Sequence, residues 1–151
     1  MEGSITRIIV VEDHEPFRRF VCAALGKRPE LQIVGEVSDG LEAVHKFEEL
    51  QPDLILLDIG LPTLNGIDAA RRIRKLAPHS KILFVTQESS TEVAQEALGL
   101  GALGYVVKVH AGRELLVAVE AVRQGRRFVS AGLAGRVPAE LGDSQVSEPP
   151  L

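Results

Sequence analysis

Cysteine is almost missing from this chain. Cys22 is the only one among 151 residues, which excludes an internal disulfide and any metal site built from cysteines. Such sparing use suits a reducing compartment. The N-terminus carries no signal-peptide pattern, so a cytoplasmic location is expected. Long apolar runs are also lacking, and none approaches the length of a membrane span. Excess charge is small: 17 Lys+Arg stand against 21 Asp+Glu, a formal balance of −4. Binding to nucleic acid needs clustered positive charge, and this chain shows no such surplus. What it does have is 45% hydrophobic and 25% charged residues, the usage of an ordinary globular protein. Its length fits one domain around one core.

Four short runs are dense in branched aliphatics: Ile8 to Val11, Leu54 to Leu57, Ile82 to Val85, and Tyr105 to Val107. Continuous apolar runs of this length read as strands buried on both faces. Leu31 to Val37 alternates more loosely and suits an edge strand. Between these runs lie segments of helical period, marked by Phe17, Phe20, Val21, Ala24 and Leu25 in the first and by Leu115, Ala118, Val119 and Val122 in the last. Asp39 with Glu42, and Ser89 with Glu92, have capping-box spacing. The order is β-α, repeated five times. Such alternation predicts a parallel sheet covered by helices on both faces, an α/β doubly wound (βα)5 architecture of flavodoxin-like type. The edge character of the second strand fits strand order 2-1-3-4-5. The expected domain is residues 1–128. Residues 129–151, rich in Pro and acidic residues toward the end, read as a tail or linker stub.

Ligands of open parallel sheets bind beyond the carboxyl ends of the strands, at the switch point in strand order. Each predicted strand that matters ends there in a polar residue: Glu12 and Asp13 after the first, Asp58 after the third, Thr86 after the fourth, Lys108 after the fifth. Three converging carboxylates repel one another unless a cation sits among them. Mg²⁺ takes oxygen ligands and is commonly held by one or two carboxylates plus phosphate oxygens. Carboxylates, a hard cation, an ammonium and a hydroxyl match the needs of phosphoryl transfer, with one aspartate as nucleophile. Taken singly, each of these residues also reads as a cap or a solvated loop group; their placement at one end of one sheet is what favours a site.

With those residues in place, the sequence resembles the receiver domain of bacterial two-component response regulators, from about Ile5 to Arg127. Val10-Val11-Glu12-Asp13 is similar to that family's acidic pair. Asp53 to Gly66, with Asp58, Pro62 and Gly66, is similar to its phospho-acceptor segment; Val85-Thr86 and Val106-Val107-Lys108 complete the pattern. The style is that of receivers often fused to a C-terminal helix-turn-helix domain. The resemblance implies that Asp58 accepts a phosphoryl group from the histidine of a sensor kinase or phosphotransfer protein. It implies Mg²⁺ held by Asp13, Asp58 and the Gly60 carbonyl, with Glu12 acting through water. Lys108 and Thr86 would bind the phosphoryl oxygens, and the Tyr105 ring would move inward as Thr86 moves. The chain would then be a signalling switch rather than an enzyme, with a homodimer as one possible state.

Two features depart from the commonest pattern. Val109 follows Lys108 where many receivers have Pro, leaving the isomer of that peptide open. Gln87 follows Thr86 where a small residue is common, and Gly60 offers no side chain to orient water; both point to slow hydrolysis of the acyl phosphate. Rival readings fare worse. Gly99-Leu100-Gly101-Ala102-Leu103-Gly104 fits a dinucleotide fingerprint as a string, but it ends a helix and precedes a strand, the reverse of what that site needs. A phosphatase of the haloacid dehalogenase type wants a second Asp where Gly60 stands. The basic run Arg71 to Lys75 reads as a solvated helix face. A receiver-like interaction module that is never phosphorylated remains the alternative.

Overall fold

The computed structural model describes residues 4–137. The chain runs β1 (Thr6–Val11), α1 (Glu15–Leu25), β2 (Leu31–Val37), α2 (Gly40–Leu50), β3 (Leu54–Leu57), α3 (Gly66–Leu76), β4 (Lys81–Thr86), α4 (Thr91–Gly99), β5 (Gly104–Val107), a 3-10 turn (Lys108–His110), α5 (Ala111–Arg123) and β6 (Phe128–Val129). All strands pair in parallel, in the order β2-β1-β3-β4-β5-β6.

Side chains alternate across a strand, so each central strand feeds two cores. Ile8, Val10, Leu54, Leu56, Leu83, Val85 and Val106 point to the face covered by α1 and α5. Ile9, Val11, Ile55, Leu57, Ile82, Phe84, Tyr105 and Val107 point to the face covered by α2, α3 and α4. This is why the four central runs are apolar without interruption, whereas β2, paired only with β1, is half-exposed over most of its length.

Helix starts follow local chemistry. Asp39 caps α2 by accepting from the Glu42 N–H at 2.9 Å, as its spacing predicts. At α4 the cap is one residue later than expected. Ser90, not Ser89, accepts from the Val93 N–H at 3.1 Å, because the helix begins at Thr91. Gly101 closes the turn after α4 with φ +113°, and its N–H donates to the Leu98 carbonyl at 3.0 Å. The glycine string thus ends a helix and precedes β5.

The sheet also carries a strand beyond the five predicted. β6 lies parallel to β5, and the expected boundary after residue 128 falls inside it. The chain past it stays packed. Ser130 is buried, accepts from the Val107 N–H at 3.2 Å and donates to Glu114 of α5. The Ala131 N–H donates to the other Glu114 oxygen at 2.9 Å. Leu133 and Val137 enter the core beside Tyr105 and Val107. Two branched apolar residues four apart among small Ala and Gly residues are a faint signal, so by sequence the segment reads as a tail. The Pro-rich stretch from Pro138 onward lies outside the described residues. Leu133→Ala is expected to destabilise the fold by about 2 kcal/mol or more, the usual cost of emptying a buried leucine site. Urea denaturation checks this; a loss near zero would mean the segment is not part of the domain.

Candidate functional site

The switch point of the sheet lies between β1 and β3, where the chain leaves for β2 and returns. β1 delivers Glu12 and Asp13 there, and β3 delivers Asp58. The β3–α3 loop is drawn tight behind Asp58 by two glycines. A side chain at Gly66 would stand 1.9 Å from the Asp58 carbonyl oxygen, and one at Gly40 would stand 1.6 Å from the Leu64 carbonyl oxygen. The Gly66 N–H instead donates to the Ile59 carbonyl at 2.8 Å.

Glu12 and Asp58 are only 3% and 5% exposed, and Thr86 is 1% exposed; Asp13 is exposed at the mouth. Carboxylate oxygens of Glu12, Asp13 and Asp58 all come within 4.8 Å of one another. Lys108 reaches across from the end of β5. Its Nζ lies 3.0 Å from the Glu12 carboxylate and 3.2 Å from Asp58 Oδ2. The Ile59 N–H donates to Asp58 Oδ1 at 2.7 Å, and the His14 N–H donates to Glu12 Oε2 at 3.0 Å. The Lys108–Val109 peptide is trans, as is every peptide among the described residues. Asp13, Asp58, Thr86 and Lys108 line a cleft of about 490 Å³, with Phe17, Gly60 and Gln87 on its walls.

Burial raises the pKa of Glu12, and the neighbouring Asp58 charge adds to the rise; the His14 amide and Lys108 oppose it without cancelling it. Burial also works against the Lys108 charge, but the hydrogen bond it donates to Glu12 and the field of both carboxylates outweigh it and hold its pKa above the ordinary lysine value. One ammonium thus serves two buried carboxylates, with a third at the rim. The surplus negative charge, presented through oxygen only, fits a hard divalent cation.

Thr86 and Tyr105 meet at one residue of the β4–α4 loop. The Glu88 N–H donates to Thr86 Oγ1 at 3.3 Å, and the Tyr105 hydroxyl donates to the Glu88 carbonyl at 2.8 Å. The Tyr105 ring is wholly buried, 6.2 Å from Phe84 between centroids. Burial, with the charges of Glu88 and Asp58, pushes its pKa up and keeps the hydroxyl a neutral donor. The expected inward ring is therefore already in place here.

Of the site residues expected from the sequence, Glu12, Asp13, Asp58, Gly60, Thr86 and Lys108 come to this end of the sheet, and Tyr105 is linked to Thr86 through Glu88. Sequence reasoning missed Glu88, which acts through its backbone, and Phe17, whose helical spacing marked it only as core. Elsewhere, Cys22 is half-buried beside Glu36, and burial pushes its thiol up to about 11, an unreactive group. The basic run on α3 is partly engaged: Arg71 bridges Asp68 at 3.0 Å and Glu96 of α4 at 2.6 Å.

Residues 8–120 match the response regulator receiver domain family. The chain belongs to that family. It is 35% identical to the DNA-binding transcriptional activator DevR/DosR of Mycobacterium tuberculosis over 97% of its own length and 68% of that protein. With the transcriptional regulatory protein LiaR of Bacillus subtilis it shares 31% identity over 91% of its length and 65% of that protein. The chain thus spans about two thirds of these curated relatives. Among solved structures, a LuxR-family two-component response regulator from Aurantimonas sp. SI85-9A1 superposes with a TM-score of 0.83 at 34% identity, covering 95% of this chain and all (100%) of that one. The response regulator domain of Thermotoga maritima CheB gives 0.73 at 33% identity over 80% of this chain and 95% of that one. A phospho-accepting receiver of a two-component system is a signalling switch, and the acidic group above fits its phosphorylation site. No helix among the described residues is long and apolar enough to cross a membrane.

The raised Glu12 pKa has a measurable consequence. In metal-free protein the folded state holds this proton more tightly than the unfolded chain. Its contribution to stability is complete below the ordinary glutamate range and is lost as pH rises through the raised value. Glu12→Gln is expected to remove that loss. From the ordinary glutamate range upward, in chelator, the variant's urea stability should gain on wild type as pH rises through the raised value. Parallel curves would mean that Glu12 titrates alike in both states.

Proposed function

We propose that Asp58 is the phosphoryl acceptor of this receiver, with Asp13, Asp58 and the Gly60 carbonyl holding Mg²⁺ and Glu12 acting through water. The observation that carries this reading is the Lys108 ammonium, 3.0 and 3.2 Å from two buried carboxylates of which one, Asp58, faces an open cleft. The donor is a phosphohistidine of a sensor kinase or phosphotransfer protein in the cytoplasm. The Asp58 carboxylate attacks phosphorus, the P–N bond breaks, and the imidazole leaves and takes up a proton. When bound, the cation supplies positive charge to the phosphoryl oxygens.

The chain's own residues do the rest. The Ile59 N–H fixes one Asp58 oxygen, leaving the other for the new bond. Lys108 exchanges part of its pairing with Asp58 for a phosphoryl oxygen. Thr86 turns its hydroxyl to the same group and gives up the Glu88 N–H. Because Tyr105 holds the carbonyl of that same residue, the β4–α4 loop feels both. Phosphorylation thereby biases a two-state loop, and the face formed by α4, β5 and α5 carries the signal. A homodimer is a fitting consequence. The chain assists its own phosphorylation and slow dephosphorylation. The rival reading, an interaction module that is never phosphorylated, has no observation in its favour.

Incubation with acetyl phosphate and Mg²⁺ is expected to add one phosphoryl group by intact mass, and none in Asp58→Asn or in chelator. In sedimentation the phosphorylated sample is expected to hold more dimer than the Asn control. No mass gain in wild type would overturn the reading. Gln87 stands exposed at the cleft beside Gly60, where it narrows the path of an attacking water. Gln87→Ala is expected to speed loss of the phosphoryl group by a factor of a few, on the order of 1 kcal/mol of barrier or less. An unchanged decay by the same mass assay would remove the side chain from any part in it.

A further inference from the structure

The Lys108 ammonium touches a third group besides its two carboxylates. It stands 4.7 Å from the centre of the Phe17 ring. A cation within about 6 Å of an aromatic face is attracted by the negative face of the ring quadrupole. Phe17 lies in the first turn of α1 and lines the same cleft as Asp58 and Thr86. Its own ring is backed by Phe20, 5.6 Å away between centroids at a tilt of 38°. Phe20 is 42% exposed, so burial of its own area does not account for its place. Its contact with Phe17 restrains the Phe17 ring from the solvent side.

We propose that Phe17 is a positioning residue for phosphoryl transfer, its ring face holding the Lys108 ammonium over the site where the phosphoryl group arrives. The inference rests on the reading of Asp58 as acceptor. The physical need is specific to that reaction. As the new P–O bond forms, the Asp58 carboxylate becomes a mixed anhydride and loses its charge. Half of the pairing that placed Lys108 weakens at the moment the ammonium must meet phosphoryl oxygens. The attraction to the ring does not depend on the state of Asp58, so it survives the step. It also acts from the α1 side, away from the carboxylates, and so limits how far the long, flexible lysine stem can drift toward Glu12.

Three variants separate the quadrupole from mere bulk. Phe17→Leu keeps an apolar side chain and loses the ring; Phe17→Tyr keeps the ring; Phe17→Ala loses both. The full chain with Mg²⁺ is phosphorylated over a range of acetyl phosphate concentrations, and the Lys108 Hε and Cε resonances are followed by NMR. Phe17→Leu is expected to lower the maximal rate about three- to tenfold with little change in the half-saturating donor concentration. Phe17→Tyr should restore it. The Lys108 Hε signals should lie upfield in wild type and Phe17→Tyr, under the ring, and move downfield in Phe17→Leu. Equal rates and unmoved Lys108 signals in Phe17→Leu would overturn the proposal, as would a Tyr variant as slow as the Leu one. The NMR arm needs no phosphorylation. Unmoved signals refute the ring contact even if wild type accepts no phosphoryl group, an outcome that by itself would strike the acceptor reading instead.

Discussion

The ammonium of Lys108 holds together two strand ends whose buried carboxylates would otherwise repel. β1 brings Glu12 and β3 brings Asp58, both buried, to the same edge of the sheet. Buried carboxylates without a partner are costly, and breaking such an arrangement leaves an uncompensated charge. Lys108, from the end of β5, is the partner. Its pairing is incomplete by design of the charge count: one positive group faces two buried carboxylates and a third at the rim. That surplus of negative charge, presented through oxygen, fits a hard divalent cation. The tight β3–α3 loop, the two glycines that permit it, and the cap at Asp39 all serve to hold Asp58 against this lysine.

Thr86 and Tyr105 share Glu88. One hydroxyl accepts from its N–H and the other donates to its carbonyl. Glu88 is thus held at its N–H and at its carbonyl. Thr86 lines the cleft, whereas Tyr105 is walled in by the core.

Much of this was legible in the sequence, for a physical reason. Strands buried on both faces must be apolar throughout, so Ile8 to Val11 and Leu54 to Leu57 announce themselves, and the polar residues that end them mark the one edge where ligands bind. Asp39 and Glu42 gave the cap of α2 by spacing alone. Features that depend on three-dimensional neighbours were not legible. β6 has only two paired residues, too few for a period, and its hold on the domain comes from Ser130 meeting Glu114 across sixteen positions. The Ser90 cap differs from the expected Ser89 by one residue, because both can accept and only the helix register decides. Phe17 reads as core by its period; that its face meets an ammonium requires knowing where Lys108 ends up.

The sixth strand has a consequence for how the molecule meets its own kind. An open parallel sheet has two raw margins, each a row of unsatisfied amides and carbonyls able to recruit a strand from another chain. Here β6 takes up the margin of β5 at Gly104 and Tyr105, so the edge strand on that side is only two residues long, too short to be a good template. The opposite margin, β2, stays open but is a poor template. Its register against β1 slips at Ile8 and Ile9, which bends it, and Gln32 and Glu36 place polar side chains outward. With one margin cut to two residues and the other irregular, neither edge of the sheet invites strand-by-strand stacking of copies of this chain.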